Sequence, residues 1–211
     1  MYANHDKSSD VGTINTFFAA NANLSKQIYR AFYSNSVINK QEYIEAKASF
    51  VESNFYNELI VNLEHYEQLY LHLGFQLAHD ESGEYFYLKP TVELGDEEDE
   101  FDESSLKIMA VLTIFTRLAT KRAQAISLLS EPVQGVSPSD LDALDEDEKT
   151  LNILKSLKLK SALDALDFLK KRGFAFKVGP KRHVLSKGAM AMINTLLERQ
   201  KALNDEGLSG Q

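Results

Sequence analysis

Twice along this chain a helix-period segment stops at a glycine, a phenylalanine follows at once, and two short alternating apolar runs close around a turn. The first instance is Leu73-Gly74-Phe75 leading into FQLAHDESGEYFYLK, and the second is Arg172-Gly173-Phe174 leading into FAFKVGPKRHVLS. Glycine after a helix supplies the left-handed backbone that reverses the chain, and two runs flanking turn residues pair as a hairpin. Helix, tight turn and hairpin wing together predict a winged helix. The expected fold class is therefore mainly α with two small β-hairpin wings, arranged as tandem winged-helix domains.

The segments ahead of each wing carry the helical period. Ile14, Phe17, Phe18, Leu24, Ile28, Ala31 and Phe32 form a stripe from Thr13 to about Ser34, with a break expected near Asn21 and Asn23. Asn39 followed by Glu42 gives an N-cap signal for a short helix to about Phe50. Leu59, Leu63, Tyr66, Tyr70 and Leu73 then share one face of a helix from about Asn54 to Leu73. In the second half, Ser104 or Ser105 is expected to cap a helix carrying Ile108, Val111, Leu112, Phe115 and Leu118, and Ser137 to Asp140 starts another. A helix from about Lys158 to Arg172 precedes the second wing, and a last one runs from about Lys187 to Lys201. The resulting organisation is a disordered polar N-terminus over 1–12, a first winged helix over 13–92, an acidic linker over 93–103, a second winged helix over 104–202 and a flexible C-terminus over 203–211.

Charge separates the two halves. Net charge over the 211 residues is -8, which argues against wholesale coating of DNA. Residues 93 to 103 hold eight acids and no base, and residues 151 to 187 hold ten Lys or Arg against Asp164 and Asp167. The acidic run reads as a solvated linker, or else as a decoy for a basic surface on a partner. The helix before the first wing carries Glu58, Glu64 and Glu67 and no base, so that unit is expected to bind protein. The candidate partner or dimer surface is Phe17, Phe18, Leu24, Ile28 and Phe32. The candidate DNA-binding residues of the basic half are Lys155, Lys158, Lys160, Lys171, Arg172, Lys177, Lys181, Arg182 and Lys187. Cations at a helix end and a wing neutralise phosphates without reading sequence, so the contact is expected to be non-specific and salt-sensitive. The competing reading is that Lys170 to Arg172 only offset the helix dipole and the rest keep the surface wet.

Chemistry finds no foothold in the motifs. Cysteine is absent, which excludes disulfides, thiol nucleophiles and cysteine zinc sites and fits a reducing compartment. His65 and His72 are seven apart rather than three or four, so a metal site is not expected at His5, His65, His72, His79 or His183. No P-loop, GxGxxG or GxSxG occurs, and the paired acids sit in expected linkers. No catalytic residue and no cofactor is expected. The polar N-terminus lacks a signal pattern and no apolar run is long enough for a membrane span, so the protein is expected in the cytoplasm, away from membranes. A stand-alone winged-helix transcription regulator remains the alternative to an assembly subunit, and an enzyme of unrecognised type the remote third.

The aromatic-rich stretch FYNELIVNLEHYEQLYLHLGFQLAHDESGEYFYLKP resembles the MukE and MksE subunits of bacterial condensins, and ALDALDFLKKRGFAFKVGPKRHVLS resembles that family's second winged helix. The resemblance covers about residues 14 to 200. It implies a non-enzymatic tandem winged-helix protein that forms a homodimer and binds a kleisin subunit of MukF or MksF type. Through the kleisin it would act on an SMC ATPase of MukB or MksB type, at the nucleoid, in chromosome segregation or plasmid defence. The acidic run at 93 to 103 and the lack of a long acidic C-terminal tail favour MksE over MukE.

Overall fold

The computed structural model describes residues 19–91 and 95–208. Among them the chain is mainly helical, with three small antiparallel sheets. Helix α1 (Ala22–Tyr33) starts where Asn21 accepts hydrogen bonds from the amides of Asn23 and Leu24. The expected break near Asn21 is thus a helix start, set by an asparagine cap. The expected disorder of residues 1–12 and the stripe residues Ile14, Phe17 and Phe18 lie outside the described residues.

The segment from Asn39 to Phe50 is extended rather than helical. It forms β1 (Ile38–Asn39), β2 (Gln41–Ile44) and β3 (Ser49–Glu52), with β2 and β3 paired as a hairpin. An N-cap is worth only about 1 kcal/mol. Phe50 meets Tyr43 edge-on across the hairpin at 5.2 Å and Phe176 of the second wing at 5.7 Å, two aromatic contacts of about 1 kcal/mol each beyond their burial. Tertiary packing therefore overrides the cap signal. The helix expected over Asn54 to Leu73 is two helices, α2 (Asn54–Val61) and α3 (Leu63–His72), broken at Asn62 with φ -116° and ψ 36°.

Strands β4 (Phe75–Asp80) and β5 (Tyr85–Pro90) form the expected first hairpin, and β1 pairs with the free side of β5. Ile38 lies opposite Phe86 and Asn39 opposite Tyr85. The turn is closed by Asp80, which accepts from the Gly83 amide at 2.6 Å and the Ser82 hydroxyl at 2.8 Å.

Helix α4 (Gly95–Lys121) begins inside the acidic run, not at Ser104. Helix α5 (Pro138–Glu146) carries the capping box of Ser137 and Asp140 with proline in its first turn. Then come α6 (Glu148–Ser156) and α7 (Ala162–Lys171), the latter capped by Ser161. The second hairpin is β6 (Ala175–Lys177) with β7 (His183–Leu185), and α8 (Lys187–Leu208) ends the described chain.

Each half has its own core. The first gathers Ile28, Phe32, Tyr56, Leu59, Tyr66, Tyr70 and Phe86, and the second Val111, Phe115, Leu154, Leu166, Leu169 and Ile193. The halves meet along a bonded seam. The Val37 amide donates to the Arg172 carbonyl at 3.0 Å, and Asn39 Nδ2 donates to the Gly173 carbonyl at 2.7 Å. Tyr85 and Phe174 meet edge-on at 6.0 Å. Glu84 ties the seam from the side, bonded to Lys187 and, at 2.7 Å, to Lys40.

The two helix-ending glycines differ at this seam. Gly74 (φ 83°) has open space where a Cβ would stand, whereas a Cβ on Gly173 (φ 80°) would stand 2.8 Å from the Val37 carbonyl oxygen. Gly74→Ala is expected to cost only the left-handed backbone penalty, about 1–2 kcal/mol. Gly173→Ala adds a collision with backbone that cannot swing aside, for roughly 2–5 kcal/mol in all. Urea denaturation of both variants checks this, and equal losses would show that the seam tolerates the methyl group.

The Lys187 and Lys40 ammoniums hold the Glu84 carboxyl below the usual carboxylate range. A carboxylate with a lowered folded-state pKa stabilises above its unfolded value, and that contribution is lost as pH falls through the depressed value. The stability gap between the wild type and Glu84→Gln is expected at neutral pH and to close in acid, below about pH 4. A gap of the same size at both ends of a urea series run across that range would exclude charge as the origin of Glu84's contribution.

Candidate functional site

The basic segment runs through α6, α7 and the second hairpin, and the structure divides its candidate DNA-binding cations into three groups. Lys158, Lys177 and Lys187 are paired with acids: Glu103 at 3.2 Å, Glu45 at 3.6 Å and Glu84. Arg172 and Arg182 have structural tasks. The Arg182 guanidinium donates to the carbonyls of Val133 and Gln134 and so pins the second wing's turn to the loop before α5. The Arg172 guanidinium lies flat on Phe168, 3.9 Å from the ring centroid, with burial lowering its pKa. The remaining four, Lys155, Lys160, Lys171 and Lys181, are exposed and in no ion pair among the described residues.

These four are placed by local features. Lys155 sits in the last turn of α6 and Lys171 in that of α7, where a cation also faces the helix dipole. Lys160 stands just before the Ser161 cap, its amide bonded to Asp164. Asp167 is paired with Lys170 at 2.6 Å. Both acids of the basic segment are therefore engaged, which leaves the four lysines to face solvent. His183 adds no charge at neutral pH, because burial on β7 lowers its pKa.

The expected partner surface on α1 is distributed differently. Ile28 and Phe32 are buried in the first core, Leu24 packs partly buried against it, and Phe17 and Phe18 lie outside the described residues. The outward side of α1 shows Tyr29, 51% exposed, and Tyr33, 79% exposed, with ring centroids 6.0 Å apart. They front a groove of about 710 Å³ whose walls include Leu73 and Tyr87 from the first half and Phe174 and Met192 from the second. Among the described residues no charged side chain lines it. Tyr70 and Tyr85 also reach it, and burial holds both phenols protonated, above the ordinary tyrosine range. Sequence reasoning missed this groove because a strong apolar stripe marks the face a helix gives to its own core, while its tyrosines at the next spacing look like ordinary surface.

The acids before the first wing are not equivalent. Glu58 is a structural hub: its Oε1 accepts from the Asn21 amide at 2.8 Å and from Tyr66 and Asn62 at 3.1 Å each. Its presence beside Tyr66, together with burial as the larger cause, pushes that phenol up to about 12. Glu64 and Glu67 are exposed, among the exposed apolar side chains Ile60, Val61 and Leu71.

Among the described residues no group of three or more His, Asp or Glu could hold a metal ion, and no helix is long and apolar enough to cross a membrane. His79 bonds the Tyr56 hydroxyl at 2.7 Å and His72 bonds the Gln68 carbonyl oxygen at 2.7 Å.

No curated protein matches the chain. The family model for condensin complex protein MksE matches residues 23–197, from the first turn of α1 into α8, and so takes in both glycine-ended helices, both hairpins and the seam between them. That match runs through most of the 211 residues, and by it the chain belongs to the MksE family of condensin complex proteins.

Proposed function

We propose that the chain is a non-enzymatic subunit of an SMC-type condensin complex, built as two winged helices that work as an adaptor. The observation that carries this reading is the single family match spanning both helix–glycine–hairpin units. The subunit binds a kleisin and, through it, an SMC ATPase, and so takes part in organising or segregating DNA in the cytoplasm, at the nucleoid, or in defence against plasmids. A second copy of the chain is the other protein partner. The two halves divide the work: the acidic first half binds protein, and the basic second half contacts DNA phosphates.

The uncharged groove fronted by Tyr29 and Tyr33 supports the protein-binding part of the reading. Exposed tyrosines over an apolar trough are the composition of interface hot spots, and polar rings lose little entropy when a segment covers them. The exposed lysines Lys155, Lys160, Lys171 and Lys181 support the DNA-binding part.

Co-expression with a kleisin of MksF type from the same genome is expected to give a complex that survives size-exclusion chromatography. Tyr29→Ala with Tyr33→Ala, both exposed and therefore tolerated by the fold, is expected to weaken that complex by about tenfold or more, as hot-spot truncations do. Separate elution of the wild-type proteins would sink the adaptor reading. An intact complex with the double variant would move the kleisin contact away from the groove.

A further inference from the structure

Phe168, on α7, carries two cations on its ring. The Arg172 guanidinium carbon lies 3.9 Å from the ring centroid and the Lys107 ammonium lies 4.8 Å from it. Lys107 comes from α4, far from the basic segment in sequence, and only the fold brings it here. Burial first, and then the charge of Arg172, lowers the Lys107 pKa; Glu103 opposes this and Lys158 adds to it. Glu103, one turn before Lys107 on α4, bonds Lys158 at 3.2 Å with both groups largely exposed.

Among the described residues the cluster's positive charge is not balanced. Arg172 and Lys107 are in no ion pair among the described residues, and Arg172 Nε is buried with no acceptor. A buried donor left unmade carries a desolvation penalty, and like charges held on one ring repel. Cation–π attraction offsets part of this. Arrangements of this kind persist where an anion completes them, and a planar guanidinium beside an ammonium is suited to an oxyanion.

We infer that Lys107 and Arg172 on Phe168, with Lys158 beside them on Glu103, form a binding site for a backbone phosphate of nucleic acid, and that Glu103 partly occupies that site in the free protein. The inference rests on the DNA-binding reading above and adds to it a residue and a regulator from outside the basic segment. A phosphate is favoured over an acidic peptide by the charge of the same half. It carries Lys155, Lys160, Lys171 and Lys181 as exposed lysines in no ion pair among the described residues, and the acids of residues 151–187, Asp164 and Asp167, are already bonded. A series of separate positive charges fits a polymer with one charge per phosphate. Phosphate binding displaces Glu103 from Lys158, so Glu103 acts as a built-in competitor that sets how tightly DNA is held.

The test is fluorescence anisotropy of a short labelled duplex with the full chain over a salt series. Lys107→Met keeps the stem against Phe168 and removes the charge. It is expected to lower affinity about tenfold and to reduce the salt slope by about one, with Lys107→Arg restoring both. Glu103→Gln is expected to raise affinity several-fold. Thermal melts of the same variants control for folding. Unchanged affinity and slope in Lys107→Met overturn the site; if Lys160→Glu with Lys171→Glu still weakens binding, the DNA-binding reading stands without it. A wild type with no salt-dependent binding overturns both. A larger effect of Lys107→Met on polyglutamate than on the duplex would place an acidic partner there and overturn the phosphate assignment.

Discussion

The helix before the second wing ends against the other half of the molecule, and most of the architecture depends on how it ends. A helix C-terminus leaves carbonyls without intrahelical partners. At the end of α7 the Arg172 and Gly173 carbonyls are met by the Val37 amide and the Asn39 side chain, both from the first half. A two-residue strand thereby serves two sheets' worth of structure: β1 pairs with β5 in the first wing's sheet and its flank receives the end of α7. Only a residue without a Cβ fits at 173, because the Val37 carbonyl stands where the Cβ would be. The glycine that reverses the chain is also the point of closest approach between the halves.

From that seam follow the two surfaces with functional meaning. Phe174, the residue after the glycine, meets Tyr85 and forms part of the aromatic groove wall. Arg172, the residue before it, has its backbone in the seam and its guanidinium on Phe168. An aromatic groove and a cation cluster thus grow from three consecutive residues. In an adaptor of this family, occupancy of the groove and occupancy of the cation cluster would both bear on the same short stretch of backbone.

Much of this was legible from residues alone. Both hairpins, the glycines that precede them and the capped start of α5 are written in local chemistry: turn residues, alternation, and Ser137 with Pro138 and Asp140. What sequence reasoning missed was decided at a distance. The Asn39 cap signal lost to Phe50 packing on Phe176, more than a hundred residues downstream. The helix expected to start at Ser104 or Ser105 starts instead at Gly95, inside the acidic run. The candidate DNA residues came from counting charge along the chain, and counting cannot show that Arg182 holds carbonyls or that Lys107 joins the cluster from α4. Likewise the stripe on α1 was a sound guide to what is apolar, but Ile28 and Phe32 serve the chain's own core and leave Tyr29 and Tyr33 facing out.

The central claim is that the contacts of the seam join the two halves into one cooperative body. Native-state hydrogen exchange at the Val37 amide tests it most directly, since that proton is donated across the seam to Arg172. The account predicts that Val37 exchanges only through global unfolding, with the same free energy and denaturant dependence as core amides such as that of Leu166. Exchange of Val37 through a low-energy opening that leaves Leu166 protected would contradict it.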